Sequence, residues 1–478
     1  MLSLSPTAFA GGFTAGTNGT EALGRAGAFV AKADNPTAIE LNVAGLAQQR
    51  GTRLLLDSNV TLHTYTFQRT GAYPDSPNNP ATPWGGQPYP KVANLGGAFY
   101  APIFALTTDF NYFDRWTFAI GAWGPPSVGN RKFGDTVNGQ PAPQRYDIVE
   151  AGLLVVYPTL AAAVRALPWL DVGLALHIAV SSLDFTTIAS TDFGTTLCPN
   201  AEYQRCDGKT RLQLSGVSAT FSLGLLARPR PWIAIGLNLW GPTYLKSTGD
   251  ITLTPPAALA GSNFAPAYGE LSTQLPWILR LGVRLIWNRQ GREQGDIEVD
   301  GVYEAWHDAQ GGGPQVYIPQ IAIYSDIHTH VEHAYMDTFA VKVGGAINAY
   351  VGPARLTFRA GFFFDSAATD YAHTRLNFDT IAKYAGTLGF GLLVRGIHLD
   401  LAYAYIYSPD RNVTDGAISP IPITPGSTQG PPVNNGYYSA NRQVFSFGLQ
   451  IEWERLVGAK KNRVIRYPKP NPVVASAP

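Results

Sequence analysis

Charge is scarce in this sequence. Only 14% of its 478 residues are Asp, Glu, Lys or Arg, against roughly 25% in ordinary soluble domains. The two signs nearly cancel, leaving a net charge of +1, so no electrostatic pull toward nucleic acid is implied. Also missing is any uninterrupted apolar run of the ~18 residues that a transmembrane helix needs. The most apolar stretch, residues 153–164, is short and broken by Pro158. Cysteine is nearly absent. Cys198 and Cys206 stand close together in CPNAEYQRC, with no CxxC motif for metal or redox chemistry. Their spacing suits a small loop closed by a disulfide in an oxidising compartment. What the chain does have is aromatic side chains, 12%, and 50 glycines. Low charge, many aromatics and no spanning helix favour a transmembrane β-barrel.

Period-two alternation supports this. It predicts fourteen strands over 52–67, 91–102, 115–124, 144–164, 169–186, 211–227, 232–246, 273–287, 296–306, 338–350, 355–365, 384–394, 398–407 and 442–453. Long and short connections alternate between them, as in outer-membrane barrels with long extracellular loops and short periplasmic turns. Several strands have two clean faces. Leu279, Leu281, Val283, Leu285 and Trp287 oppose Arg280 and Arg284; Leu356, Phe358, Ala360, Phe362 and Phe364 oppose Arg355, Thr357 and Arg359. Asp296, Glu298, Asp300 and Glu304 lie opposite Ile297, Val299 and Tyr303, and Leu399, Leu401, Tyr403, Tyr405 and Tyr407 form another apolar face. Tryptophan prefers the membrane–water interface. Strand parity assigns Trp116, Trp169, Trp232, Trp287 and Trp453 to a periplasmic belt and Trp123, Trp240, Trp277 and Trp306 to an extracellular one, with Trp84 in a loop.

Ahead of the strands, residues 10–51 read AGGFTAGTNGTEALGRAGAFVAKADNPTAIELNVAGLAQQRG. Small residues dominate and allow close packing, so the stretch reads as a compact plug with short helical pieces over about 21–33 and 39–48. GRAGAFVAKADN followed by LNVAGLA resembles the N-terminal hatch of the long-chain fatty-acid transport family of Gram-negative outer membranes, the FadL/TodX type. In that comparison Gly11-Gly12-Phe13 is the aromatic-bearing arm. The plug motif is carried by Gly24, Arg25, Gly27, Asn42, Ala44 and Gly45, with Val43 where the family usually has proline. NGYYSANRQVFSFGLQIEW resembles the family's closing strand. The resemblance implies a fourteen-stranded antiparallel barrel, an N-terminal plug in its lumen, and passive transport of hydrophobic molecules such as long-chain fatty acids. It implies no catalysis and no cofactor. It also implies outer-membrane lipid and lipopolysaccharide as surroundings, and a monomer. Aromatic hydrocarbons are the alternative cargo; a lipid-modifying barrel enzyme or a general porin are more distant rivals.

An amphipathic cargo needs an apolar tunnel for its tail and one or two cations for a carboxylate head. Arg280, Arg284, Arg355 and Arg359 are the inward-facing candidates. Most of them are expected in arginine–carboxylate pairs, with Glu298, Asp300 and Glu304 on a neighbouring strand. Phe13 is a candidate stopper within the tunnel, as the resemblance implies. Asp147, Asp171, His177 and Asp400 read as inward polar groups, and no nucleophile motif accompanies His177. His328, His330 and His333 have loose spacing and read as residues of an exposed loop, not a metal site. Glycines and prolines at 85–90 and 121–126 could supply irregularities in the wall.

The domain reading is a signal-peptide remnant over 1–10, ending in the small-x-small pattern Ala8-Phe9-Ala10. The plug then spans 11–51, the barrel 52–454 and a basic, proline-containing periplasmic tail 455–478.

Overall fold

The computed structural model describes residues 16–76, 78–125, 130–190, 202–257, 265–310, 313–321, 324–331, 333–420 and 430–457. Fourteen antiparallel strands close on themselves. They are β1 (Arg53–Arg69), β2 (Ala98–Thr108), β3 (Trp116–Trp123), β4 (Glu150–Leu167), β5 (Leu170–Ser190), β6 (Asp207–Arg230), β7 (Ile233–Trp240 and Thr243–Thr254) and β8 (Ala267–Leu275 and Ile278–Arg289). After them come β9 (Arg292–Glu304), β10 (Thr338–Val351), β11 (Ala354–Asp365), β12 (Lys383–Val394), β13 (Ile397–Val413) and β14 (Gly436–Glu452). Each pairs with its neighbour in sequence, and β14 returns to β1 with an unbroken register from Arg53↔Glu452 to Arg69↔Gly436. Closure removes the free edges that an open sheet would leave unpaired in lipid.

The alternation sorts side chains as the solvent on each side requires. Leu279, Leu281, Val283, Leu285, Phe358, Phe362, Leu399 and Leu401 stand exposed on the outside. Asp296, Glu298 and Asp300, which alternate with exposed Ile297 and Val299, are fully enclosed. Apolar surface out and charge in is the reverse of a soluble barrel.

Four expectations need correction. The second strand is Ala98–Thr108, not 91–102, because Gly96 and Gly97 interrupt the run, Gly97 at φ +74°. Two strands are broken, β7 at Gly241-Pro242 and β8 at Pro276-Trp277, where proline cannot donate to the ladder. The expected loop over 311–336 contains a hairpin, Gln315–Ile321 with Tyr324–His330, that extends the sheet from β8 through Glu270↔Tyr317 and its neighbours. The tryptophan belts are only half right. Trp116, Trp169, Trp232, Trp287 and Trp453 are exposed around one rim, as is Trp277 near the other. Trp123, Trp240 and Trp306 are buried and point inward.

Residues 16–51 lie inside the cylinder. Their hydrogen bonds reach strands around its circumference. Thr20 N donates to Asp57 on β1 at 2.7 Å, Asn42 Nδ2 to Leu225 O on β6 at 3.1 Å, and Gly24 O accepts from Thr387 Oγ1 on β12 at 3.3 Å. Helix is sparser here than expected. It is confined to α1 (Thr20–Leu23), α2 (Ala38–Leu41) and one 3-10 turn (Val43–Gln48). Residues 24–28 make tight turns on their own backbone, and residues 29–32 leave the helical path because their N–H groups bond the barrel wall. Phe29 N and Val30 N donate to Asp300 Oδ2 at 2.8 and 3.0 Å; Ala31 N and Lys32 N donate to Glu298 Oε1 at 2.6 and 3.2 Å. Two wall carboxylates replace the acceptors that a helix would have supplied.

Candidate functional site

The plug leaves part of the lumen open. An apolar cavity of about 310 Å³ runs beside it. Pro314, Val316, Ile318, Val331 and Phe378 line it on the loop side; Leu183, Phe185, Leu212, Ile251 and Leu271 line its middle. Its remaining lining includes Trp123, Tyr157, Trp240, Arg280 and the plug residue Glu40. His333 also faces it, buried and stacked on Tyr335 with ring centroids 4.9 Å apart. The expected exposed position for that histidine is therefore wrong. Burial and nearby Arg375 push His333 down to about 3, so it presents a neutral ring. The side chain of His330 falls outside the described residues.

The aromatic part of this lining is tightly organised. Trp123 stacks on Tyr157 at 4.7 Å and meets Trp240 edge-on at 5.4 Å. His177 stacks on Trp240 at 3.8 Å while its two ring nitrogens contact Thr159 Oγ1 at 2.8 Å and Ser222 Oγ at 3.0 Å. His177 is thus a fixed lumen group with both nitrogens engaged. The inward turn of these tryptophans was available in strand parity: Trp123 shares a face with Thr117, Ala119 and Gly121, and Trp240 with Gly236 and Asn238.

The four candidate arginines separate by environment. Arg284 bonds Asp296 at 2.6 Å and Glu293 at 2.7 Å; Arg359 bonds Asp400 at 2.6 Å and plug Glu21 at 3.1 Å. Asp296 is also shared with plug Arg25, at 2.7 Å, and Arg25 reaches Glu298 at 3.2 Å. These residues are structural anchors. Arg355 stands outside the cavity lining, with Nε lacking a hydrogen-bond acceptor. Arg280 lines the cavity, and its Nη1 is buried without an acceptor. Directly across the ladder is Asn238, fully buried, with both amide atoms unbonded. Neither Asn238 nor Glu40 is discernible as a site residue without the strand pairing and the plug's position. Phe13 lies outside the described residues.

The plug motif residues serve packing. Arg25 is buried in the ion pairs above, and Gly27 turns the chain at φ +80°. Gly24 approaches Gly389 on β12 so closely that a Cβ would sit 2.9 Å from its Cα. Asn42 caps the 3-10 turn by accepting from Ala44 N at 3.2 Å. A Cβ on Gly45 would overlap Ala33 O at 2.1 Å. Asp147 belongs to an inward-folded loop, not a strand, and holds Arg375 at 2.7 Å; Asp171 pairs with Arg165 at 3.1 Å. Cys206 is buried and disulfide-bonded, while Cys198 lies outside the described residues.

Among the described residues the wall has a gap. β3 stops at Trp123, so it pairs with β2 only over Ile103–Thr108 and with β4 only over Tyr157–Val164. Beyond that point β2 and β4 diverge around a second cavity of about 320 Å³. Both inward residues (Ala101, Trp123, Val155) and lipid-facing ones (Leu56, Tyr100, Leu154) line it, so it passes through the sheet. Trp123, Pro125, Leu153 and Val155 border both cavities. Of the expected irregularities, Ala122 to Pro125 lie at this gap, whereas residues 85–90 belong to a loop that bonds the end of β1, Tyr89 O accepting from Gln68 Nε2 at 2.5 Å. At the gap's edge, plug Asn18 Nδ2 donates to Gly124 O at 2.7 Å and to Glu40 Oε2 at 3.0 Å.

Comparison with known proteins agrees with this geometry. The profile of a family described as outer membrane protein transport protein (OMPP1/FadL/TodX) matches residues 1–446. No curated protein matches the sequence. Among solved structures, a Pseudomonas aeruginosa FadL homologue superposes with a TM-score of 0.72 at 16% identity, covering 93% of this chain and all of that one. The Ralstonia pickettii toluene transporter TbuX gives 0.61 at 16% identity, covering 91% and 98% of the two chains. The Pseudomonas putida toluene transporter TodX gives 0.60 at 14% identity, covering 87% and 94%. At these identities the likeness is one of fold.

Proposed function

The chain belongs to the OMPP1/FadL/TodX family of outer-membrane transport proteins, and from that premise we propose that it carries long-chain fatty acids inward by diffusion. It is an outer-membrane barrel of Gram-negative type, and its family consists of transport channels. The observation that carries the choice of cargo is the apolar cavity lined by Arg280, whose Nη1 is buried without an acceptor. Burying a cation without a partner is costly; a carboxylate head group against Arg280 and Asn238 removes that cost, while the acyl tail fills the apolar length. Such a ligand enters past Pro314, Val316 and Phe378 and leaves through the β3 gap into the membrane plane. The plug obstructs the straight route down the bore.

A second reading rests on the aromatic lining. Trp123, Tyr157, Trp240 and His177 form a site for a planar ring, and the toluene transporters share the fold. Titrating purified, delipidated protein with dodecanoate and with toluene decides between the cargoes. Saturable dodecanoate binding that Arg280→Gln weakens supports the fatty-acid reading. Toluene binding alone, indifferent to Arg280→Gln, replaces it with the aromatic one. Large steady ion conductance in planar bilayers, with no binding of either compound, overturns both. We further propose that the protein acts as a monomer, since the barrel closes within one chain.

A further inference from the structure

A cluster of enclosed charge lies apart from the tunnel and has no part in the transport reading. His63 on β1 and Arg442 on β14 are direct cross-strand partners with enclosed side chains. Arg131, fully buried, sets Nη1 against His63 Nδ1 and lies over the Tyr65 ring at 5.4 Å. Lys383, at the start of β12, is buried and donates to Ile381 O at 3.3 Å. The carboxylate among them is Asp379, 3.0 Å from Arg442 Nη2 and 3.7 Å from His63 Nε2. Asp365 is enclosed nearby on β11.

The donors outnumber their acceptors. Arg131 Nε and Nη2, Arg442 Nη1 and His63 Nε2 are all buried and unbonded. Arginine stays protonated and can only donate, so its contact makes His63 Nδ1 the acceptor and leaves the ring proton on Nε2. Four unused N–H donors and an excess of fixed positive charge therefore share one neighbourhood. Leaving such groups unsatisfied is expensive.

We infer that this cluster is an anion site for a carboxylate or a similarly compact oxyanion, distinct from the Arg280 end of the tunnel. Asp379 is a tethered version of the same ligand, already seated on one guanidinium. The segment from Leu376 to Ala382 separates the two places: Asn377 and Phe378 line the tunnel, whereas the next residue, Asp379, faces the cations. The inference does not depend on the nature of the tunnel's cargo.

The test uses the full chain in detergent at constant ionic strength, titrated with acetate, inorganic phosphate and dodecanoate against a chloride background. Thermal unfolding midpoint is read for each, since a ligand that binds only the folded state raises it saturably. Wild type responds saturably to acetate or phosphate. Arg131→Gln and Arg131→Lys raise the half-saturating concentration at least tenfold, the second because it keeps the charge but loses the planar fork. Arg280→Gln leaves the acetate or phosphate response unchanged, which separates this site from the tunnel, where only dodecanoate binding depends on Arg280. Because Arg131→Gln removes an uncompensated buried charge, its midpoint without anion equals or exceeds that of wild type. A response to acetate or phosphate that Arg131→Gln weakens assigns the site to compact oxyanions; a response to dodecanoate alone is tunnel binding and overturns the inference. No saturable response from wild type, or one that Arg280→Gln removes and Arg131→Gln preserves, overturns the inference.

Discussion

Four arginines look alike in the sequence, and their neighbours divide them. Arg284 and Arg359 hold the plug and the wall together, while Arg280 has a buried nitrogen with nothing to bond. A charged hydrogen bond contributes about 1.5–3 kcal/mol. Arg280→Gln should therefore weaken dodecanoate binding by tenfold or more in calorimetric titration and leave toluene binding nearly unchanged. Glu40 adds a pH dependence. Burial pushes its carboxyl up to about 7, against the stabilising hydrogen bond from Asn18. Above pH 7 it is ionised, competes for Arg280 and repels a cargo carboxylate; below pH 7 it is neutral. Dodecanoate affinity should rise several-fold as pH falls from 8 to 6, and Glu40→Gln should flatten that profile at the tighter value. An unchanged slope in the variant would remove Glu40 from the site.

At the scale of elements, the wall was legible and its interruptions were not. Period two reveals a strand wherever one face meets lipid, and all fourteen emerge from it. The same rule does not report where a strand pauses. At Gly241-Pro242 and Pro276-Trp277 the alternation changes phase: Asn238 and Trp240 are enclosed before the first break and Thr243 and Leu245 after it, and Leu275 before the second break gives way to Ile278 and Arg280. Helical expectation for 21–33 fails for another reason: the acceptors for Phe29 to Lys32 are Asp300 and Glu298, some 270 residues away. Local propensity has no access to such partners. The anchors give a direct prediction. Asp296 serves both Arg25 and Arg284, and removing one member of a buried ion network costs about 3–5 kcal/mol. Asp296→Ala should lower the urea midpoint accordingly. Gly344→Val should loosen the plug without touching charge, because a Cβ there would lie 2.0 Å from Arg25 O. Planar-bilayer recordings should then show conductance that wild type lacks.

For the whole molecule, the informative feature is the opening between β2 and β4. The tunnel and the wall gap share Trp123, Pro125, Leu153 and Val155, and the proposed exit route runs between them. Ala101 is buried at that gap. Ala101→Trp should slow uptake of labelled fatty acid into cells severalfold while equilibrium binding to purified protein stays as in wild type. Equal loss of both would mean that the tunnel, not the exit, had been disturbed.

The plug's contacts also constrain biogenesis. Thr20 touches the first strand through Asp57 and the last through Ser446, with Oγ atoms 2.7 Å apart. The first and last strands are those whose zipping completes the cylinder. A leader segment bonded to both sides of that seam cannot be threaded in afterwards through a finished, occupied bore. It must already be seated when the seam shuts, so the segment ahead of the first strand acts as the mandrel around which the strands are wound.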